Sequence, residues 1–118
     1  MHMTKPPAEH LLISDALLDK VAQRFRVMGD ATRLAILRLL SARGELSVGE
    51  VVDELGMSQA NASKHLRLLL DAGIVSRRAE GTSGYYAVVD TSVERLCAIV
   101  CDRIEEQVET EHQALAQT

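Results

Sequence analysis

Aromatic residues are nearly absent from this sequence. Phe25, Tyr85 and Tyr86 are the whole set, and there is no tryptophan. A core built without rings must be aliphatic, and leucine, valine and alanine supply it. Long apolar runs are missing too. None approaches the roughly 18 residues that a membrane-spanning helix needs, so no membrane partner is expected. Proline occurs only at Pro6 and Pro7. They lie in residues 1–12, a stretch of mixed polarity and no period that reads as a loose arm. The N-terminus lacks the charged and then apolar blocks of a signal peptide, which predicts a cytoplasmic protein. Cysteine stops at two, Cys97 and Cys101, and in that compartment they are expected as thiols. There is no glycine-rich phosphate loop and no Ser/His/Asp or Cys/His pattern, so an enzyme is not expected.

Positive charge is also short. The net charge of -4 argues at first against a nucleic-acid partner. Its distribution argues the other way. Residues 58–89 hold Lys64, Arg67, Arg77 and Arg78 against Asp71 and Glu80, a balance of +2. Residues 90–118 hold seven acids against Arg95 and Arg103, a balance of -5. A local basic face is what phosphate binding requires, whatever the total.

What is present is helical periodicity with clear punctuation. Leu17, Leu18, Val21, Phe25 and Met28 recur at three- and four-residue steps, which predicts a helix from Ser14 or Asp15 to Met28, ended by Gly29. Asp30 can cap a second helix, "ATRLAILRLLSAR", that stops near Gly44. "ELSV" allows one brief strand. Ser47 with Glu50 forms a capping box for a third helix, closed by Gly56. Ser58 caps a fourth, which stops at Ala72-Gly73. "IVSRRAE" and "GYYAVVD" read as two strands of a hairpin with "GTSG" at its tip. A long helix then runs from Thr91 to about Gln113, leaving 114–118 as a tail. The domain is expected to span 13–113. It is mainly α (α+β): about five helices with a β-hairpin, arranged as a winged helix-turn-helix.

The fourth helix, "SQANASKHLRLLLDAG", is polar in front and leucine-rich behind. In a helix-turn-helix the front of the second helix enters the major groove. Ser58 stands at that front. Gln59 and Asn61 suit bidentate pairing with adenine, and Ser63 suits either sense. Lys64, His65 and Arg67 suit phosphate or guanine. Small residues such as Ala62 allow close backbone approach. Arg77 and Arg78 lead into the hairpin, with Thr82 and Ser83 at its tip, and can reach neighbouring phosphate or the minor groove. The blander alternatives are an amphipathic surface helix and arginines that guard a sheet edge.

The last helix carries an apolar stripe, Val93, Leu96, Cys97, Val100, Ile104 and Val108, on a chain with little surface left to cover it. Two such helices meeting across a two-fold axis would bury it.

"MGDATRLAILRLL", "GELSVGEVVDELGMSQANASKHLRLLLDAGIV" and "RRAEGTSGYYAV" resemble the ArsR/SmtB family of bacterial metalloregulatory repressors, over about residues 20–110. The resemblance implies a homodimer with the first and last helices at its interface, here Leu17 and Val21 with Val93, Leu96, Cys97, Val100, Ile104 and Val108. It implies palindromic double-stranded operator DNA as partner and release of that DNA by an inducer.

The family's sensing sites are broken in this chain. Its arsenic-type site reads "ELCVCDL", whereas residues 45–51 read "ELSVGEV". Ser47 and Gly49 stand where the thiolates would be, and neither replaces a soft ligand. Of its zinc-type site, Asp90 and Glu106 match, but Ser92 and Arg103 replace the histidines. Cys97 and Cys101 remain. They are four apart, on one helix face. Two chains could bring four sulfurs together for a thiophilic metal or metalloid. The alternatives are a redox or sulfur-species sensor using the same thiols, or small buried hydrophobes in a non-sensing regulator. His112, with Glu109 and Glu111, and His10 could serve a harder metal, but both read better as solvated surface residues.

Overall fold

The computed structural model describes residues 12–116. Helix α1 spans Asp15–Met28 and α2 spans Ala31–Arg43. A two-residue strand β1, Leu46–Ser47, leads into α3, Val48–Leu55, and then α4, Gln59–Asp71. Strands β2, Val75–Glu80, and β3, Ser83–Val88, form the hairpin, and α5 covers Ser92–Ala116. The element order is the expected one. Among the described residues, no helix is long and apolar enough to cross a membrane.

The helix starts follow the capping chemistry. Ser14, Asp30, Ser47 and Ser58 each accept a hydrogen bond from the backbone N–H three residues on. The Glu50 carboxylate in turn accepts from the Ser47 N–H, completing the capping box. Each cap stabilises its helix by about 1 kcal/mol. Gly56 ends α3 at φ 63°, a left-handed conformation that glycine adopts without steric cost. Only Met57 then separates that glycine from the cap of α4, which fixes the sharp helix-turn-helix corner.

The sheet is antiparallel, with β3 in the centre, β1 on one side and β2 on the other. Glu80 pairs directly with Ser83, so the hairpin loop is only Gly81-Thr82. The expected four-residue tip is therefore shorter. Thr82 is in the loop, while Ser83 is the first residue of β3. At the other end α5 runs three residues beyond Gln113, so the expected tail is helical through Ala116. Of the expected N-terminal arm only Leu12 is described. His10 lies outside the described residues.

The core is aliphatic, as the missing rings require. Ile36 and Leu40 of α2, Leu46 of β1, Val51 of α3, Leu66 and Leu69 of α4, and Ile74 and Val75 close it. Burying a leucine or isoleucine side chain stabilises by roughly 1.5–3 kcal/mol. Helix α4 is thus mounted by its rear, and its front is left free. Two arginines tie the helices together. Arg24 of α1 pairs with Asp90 and donates to the Ala72 carbonyl at the end of α4, at 2.9 Å. Arg33 of α2, only 13% exposed at its side chain, donates to the Val27 and Arg26 carbonyls and meets His65 Nδ1 at 3.2 Å. Arginine has no acceptor, so a hydrogen bond here runs from Arg33 to Nδ1.

Candidate nucleic-acid interface

The front of α4 is open. Gln59, Asn61, Ser63 and Lys64 are exposed on it. The Ser58 hydroxyl caps the helix, accepting from the Asn61 N–H at 3.1 Å. Arg67 is exposed and pairs with Asp71 at 3.0 Å, one turn nearer the C-terminus. Lys64 has no acidic partner among the described residues.

Two residues assigned to this surface are not on it. Ala62 is fully buried and His65 is 8% exposed. With Leu66 and Leu69 they make the apolar face of α4, at spacings of three and four. Ala62 is a core residue, and His65 is the partner of Arg33 rather than a phosphate contact. The spacing contained this signal, but the polarity of the neighbours masked it.

The hairpin divides its two arginines. Side chains alternate across a strand. Val75 and Arg77, with Val88, Tyr86 and Gly84 opposite, share the face that begins in the core. Ser76, Arg78 and Glu80, with Tyr85 and Ser83, share the other. Arg78 is fully engaged there. It donates two hydrogen bonds to Glu45 and one to Glu80, and lies 5.0 Å from the Tyr85 ring centre. The Arg78 guanidinium holds the Glu45 carboxyl below the usual carboxylate range. Arg78 thus links Glu45, the residue before β1, to the hairpin through exposed ion pairs, as Arg67 is paired with Asp71. Arg77 makes no ion pair among the described residues. It faces a cleft of about 370 Å³ that the start of α4, the start of α3 and the wing enclose, lined by Gln59, Ser47, Gly49, Thr82 and Ser83 among others.

Helices α1 and α5 leave apolar side chains uncovered. Leu17, Leu18, Val21 and Phe25 project from α1, and Val100, Ile104 and Val108 from α5. Val93 does not belong with them. At 3% exposed it is part of the protomer's own core, and Leu96 is half-buried against that core. The first turn of α5 is committed within the chain, and the uncovered stripe begins after it.

Neither family metal site has fitting residues. The Ser47 hydroxyl is spent on its cap, and Gly49 offers no side chain. Asp90 accepts from the Ser92 hydroxyl and backbone N–H, at 2.6 and 2.9 Å, and pairs with Arg24, bonds that hold its carboxyl below the usual range. Arg103 pairs with Glu106 at 3.4 Å. Among the described residues, no three His, Cys, Asp or Glu side chains of one protomer are grouped to hold a metal, His112 with Glu109 and Glu111 included. Cys97 and Cys101 are free and exposed. They line a groove of about 860 Å³ between α2 and α5, with Leu34, Arg38 and Val93. The Cys101 thiol donates to Glu105 at 3.5 Å, and that carboxylate pushes its pKa up.

Known proteins share this arrangement. The helix-turn-helix domain family matches residues 28–78. A transcriptional regulator of Methanocaldococcus jannaschii, of helix-turn-helix type and uncharacterised, is 43% identical over 82 residues, spanning 70% of this chain and 92% of that one. The arsenical resistance operon repressor of Bacillus subtilis is 35% identical over 88 residues, spanning 70% and 84%. Among solved structures, a homodimeric winged helix-turn-helix DNA-binding domain from Mycobacterium bovis, described as a possible ArsR-family regulator, superposes with a TM-score of 0.68. It is 34% identical, over 89% of this chain and 92% of that one. Identities of 34–43% over 70–89% of the chain, on a fold whose reading helix and wing are both in place, carry the family with them: this chain belongs to the ArsR/SmtB family of winged helix-turn-helix transcriptional repressors.

Proposed function

We propose that the protein is a dimeric, inducer-released repressor that reads operator DNA with the front half of α4. The observation that carries this reading is the pairing of an open polar helix front with Arg77, which has no ion pair among the described residues, across one cleft. Gln59, Asn61 and Ser63 present short donors and acceptors suited to base edges. Lys64 and Arg77 supply charge for phosphate, and Arg67 joins them when its exposed pair with Asp71 opens. A second copy of the chain covers Leu17, Val21, Val100, Ile104 and Val108, and a two-fold pair of α4 helices matches a palindromic site.

The inducer side of the proposal rests on Cys97 and Cys101. Among the described residues, one protomer offers two thiols on one helix face and no grouped third ligand. A thiophilic metal or metalloid would therefore draw sulfurs from both copies. The proton held on Cys101 by Glu105 must leave first, so uptake strengthens as pH rises.

Fluorescence anisotropy with duplex from the protein's own promoter tests the reading. Specific binding at about 10 nM or tighter, weakening steeply with salt, is expected. Equal affinity for a scrambled duplex would sink it. Replacing both cysteines with serine should abolish the response to thiophilic ions while leaving DNA affinity unchanged. A full response in that variant removes the thiols from the mechanism.

A further inference from the structure

Four glycines of the chain, Gly44, Gly56, Gly73 and Gly81, have positive φ. Gly84 does not, so its backbone makes no demand for glycine. Its use lies in the space above it. Arg77 pairs with Tyr86 across the hairpin, and Gly84 is two residues further along the same face of β3. A long side chain reaches such a diagonal neighbour. The Arg77 guanidinium lies over Gly84, where an added methyl group would meet its Nε and come within 2.6 Å of Cζ and of one terminal nitrogen. Lying there, it borders the same cleft as Gln59 at the start of α4.

We propose that Gly84 is a positioning residue for DNA binding. By leaving clearance over β3, it holds the Arg77 guanidinium low in the cleft between wing and reading helix, where it takes a phosphodiester oxygen of the duplex. The inference rests on the repressor reading above. Any side chain at position 84 displaces the guanidinium outward. The fold is indifferent, because the displaced atoms are the far end of a flexible chain. Alanine also costs less entropy than glycine on folding. The protein gains or keeps stability while it loses a prepositioned charge.

Gly84→Ala, Arg77→Ala and the double variant separate the possibilities. Each is titrated with own-promoter and scrambled duplex by anisotropy across a salt series, beside thermal melts. Gly84→Ala should bind on the order of tenfold more weakly, as for one charge-assisted contact. Its melting temperature should equal or exceed that of the wild type. The slope of log K against log salt should fall by about one in both single variants. The double variant should bind no more weakly than Arg77→Ala alone. Wild-type affinity in Gly84→Ala overturns the inference, as do independent losses that multiply in the double variant, or an affinity loss that tracks a lower melting temperature. If the wild type does not prefer its own promoter, the sequence-specific reading fails, yet the same variants on scrambled duplex still decide the role of Gly84. A wild type that binds no duplex overturns both.

Discussion

Helices α4 and α5 both carry an apolar stripe, and the protomer covers only one of them. Ala62, His65, Leu66 and Leu69 of α4 are buried within the chain. In α5 only Val93 is buried, while Val100, Ile104 and Val108 stand about half exposed. The stripes are similar in spacing and opposite in purpose. A stripe with a polar front and a filled rear makes a rigid reader. A stripe with nothing against it asks for a second copy.

Four variants put this contrast at risk. Leu66→Ala removes the mount of α4 and should cost about 2–5 kcal/mol, read as a lower urea midpoint. A loss of under 1 kcal/mol would mean that α4 is not held as described. Ile104→Asp should act elsewhere. Sedimentation should show dimers becoming monomers, and the far-ultraviolet dichroism should keep its helical form because the core lies within each protomer. Unfolding of that monomer would show that the core is shared between copies. Asn61→Ala should leave the melting temperature alone and cost about 1–3 kcal/mol of discrimination between promoter and scrambled duplex. An equal loss on both duplexes would reassign Asn61 to the backbone.

The smallest effect is chemical. In a Cys97→Ser background, Glu105→Ala removes the carboxylate that favours the protonated Cys101 thiol. The thiol pKa falls, the thiolate fraction at pH 8 rises, and iodoacetamide labelling should be faster. The advantage should fade as pH climbs past the pKa of both forms. An unchanged rate at pH 8 would remove Glu105 as the cause.

Local chemistry was legible in the sequence and distant chemistry was not. The caps at Asp30, Ser47 and Ser58 depend on residues three positions away, and each formed as read. The turn at Gly56 depends on one backbone conformation. What the sequence missed came from geometry the linear order hides. Ala62 and His65 look polar-sided because Asn61, Ser63 and Lys64 surround them, though their spacing to Leu66 and Leu69 gave the face. Arg78 looks like the twin of Arg77, yet a strand sends neighbours to opposite faces, and Glu45 meets it from 33 residues away. Val93 looks like the first residue of the dimer stripe, but it is drawn into the core of its own protomer. The Arg24–Asp90 and Arg33–His65 links join residues 66 and 32 positions apart, and no local pattern announces them.

The acidity of α5 has a consequence for how the molecule meets its target. Six carboxylates (Glu94, Asp102, Glu105, Glu106, Glu109 and Glu111) face only Arg95 and Arg103 along this helix. Duplex DNA carries one negative charge per roughly 1.7 Å of axis. A collision that presents α5 to the duplex is repelled, whereas one that presents α4 and the wing is not. Such repulsion is expected to turn tumbling encounters until the reading side leads. Removing the charge of α5 would raise wrong-way collisions and non-specific retention before it touched the operator complex itself.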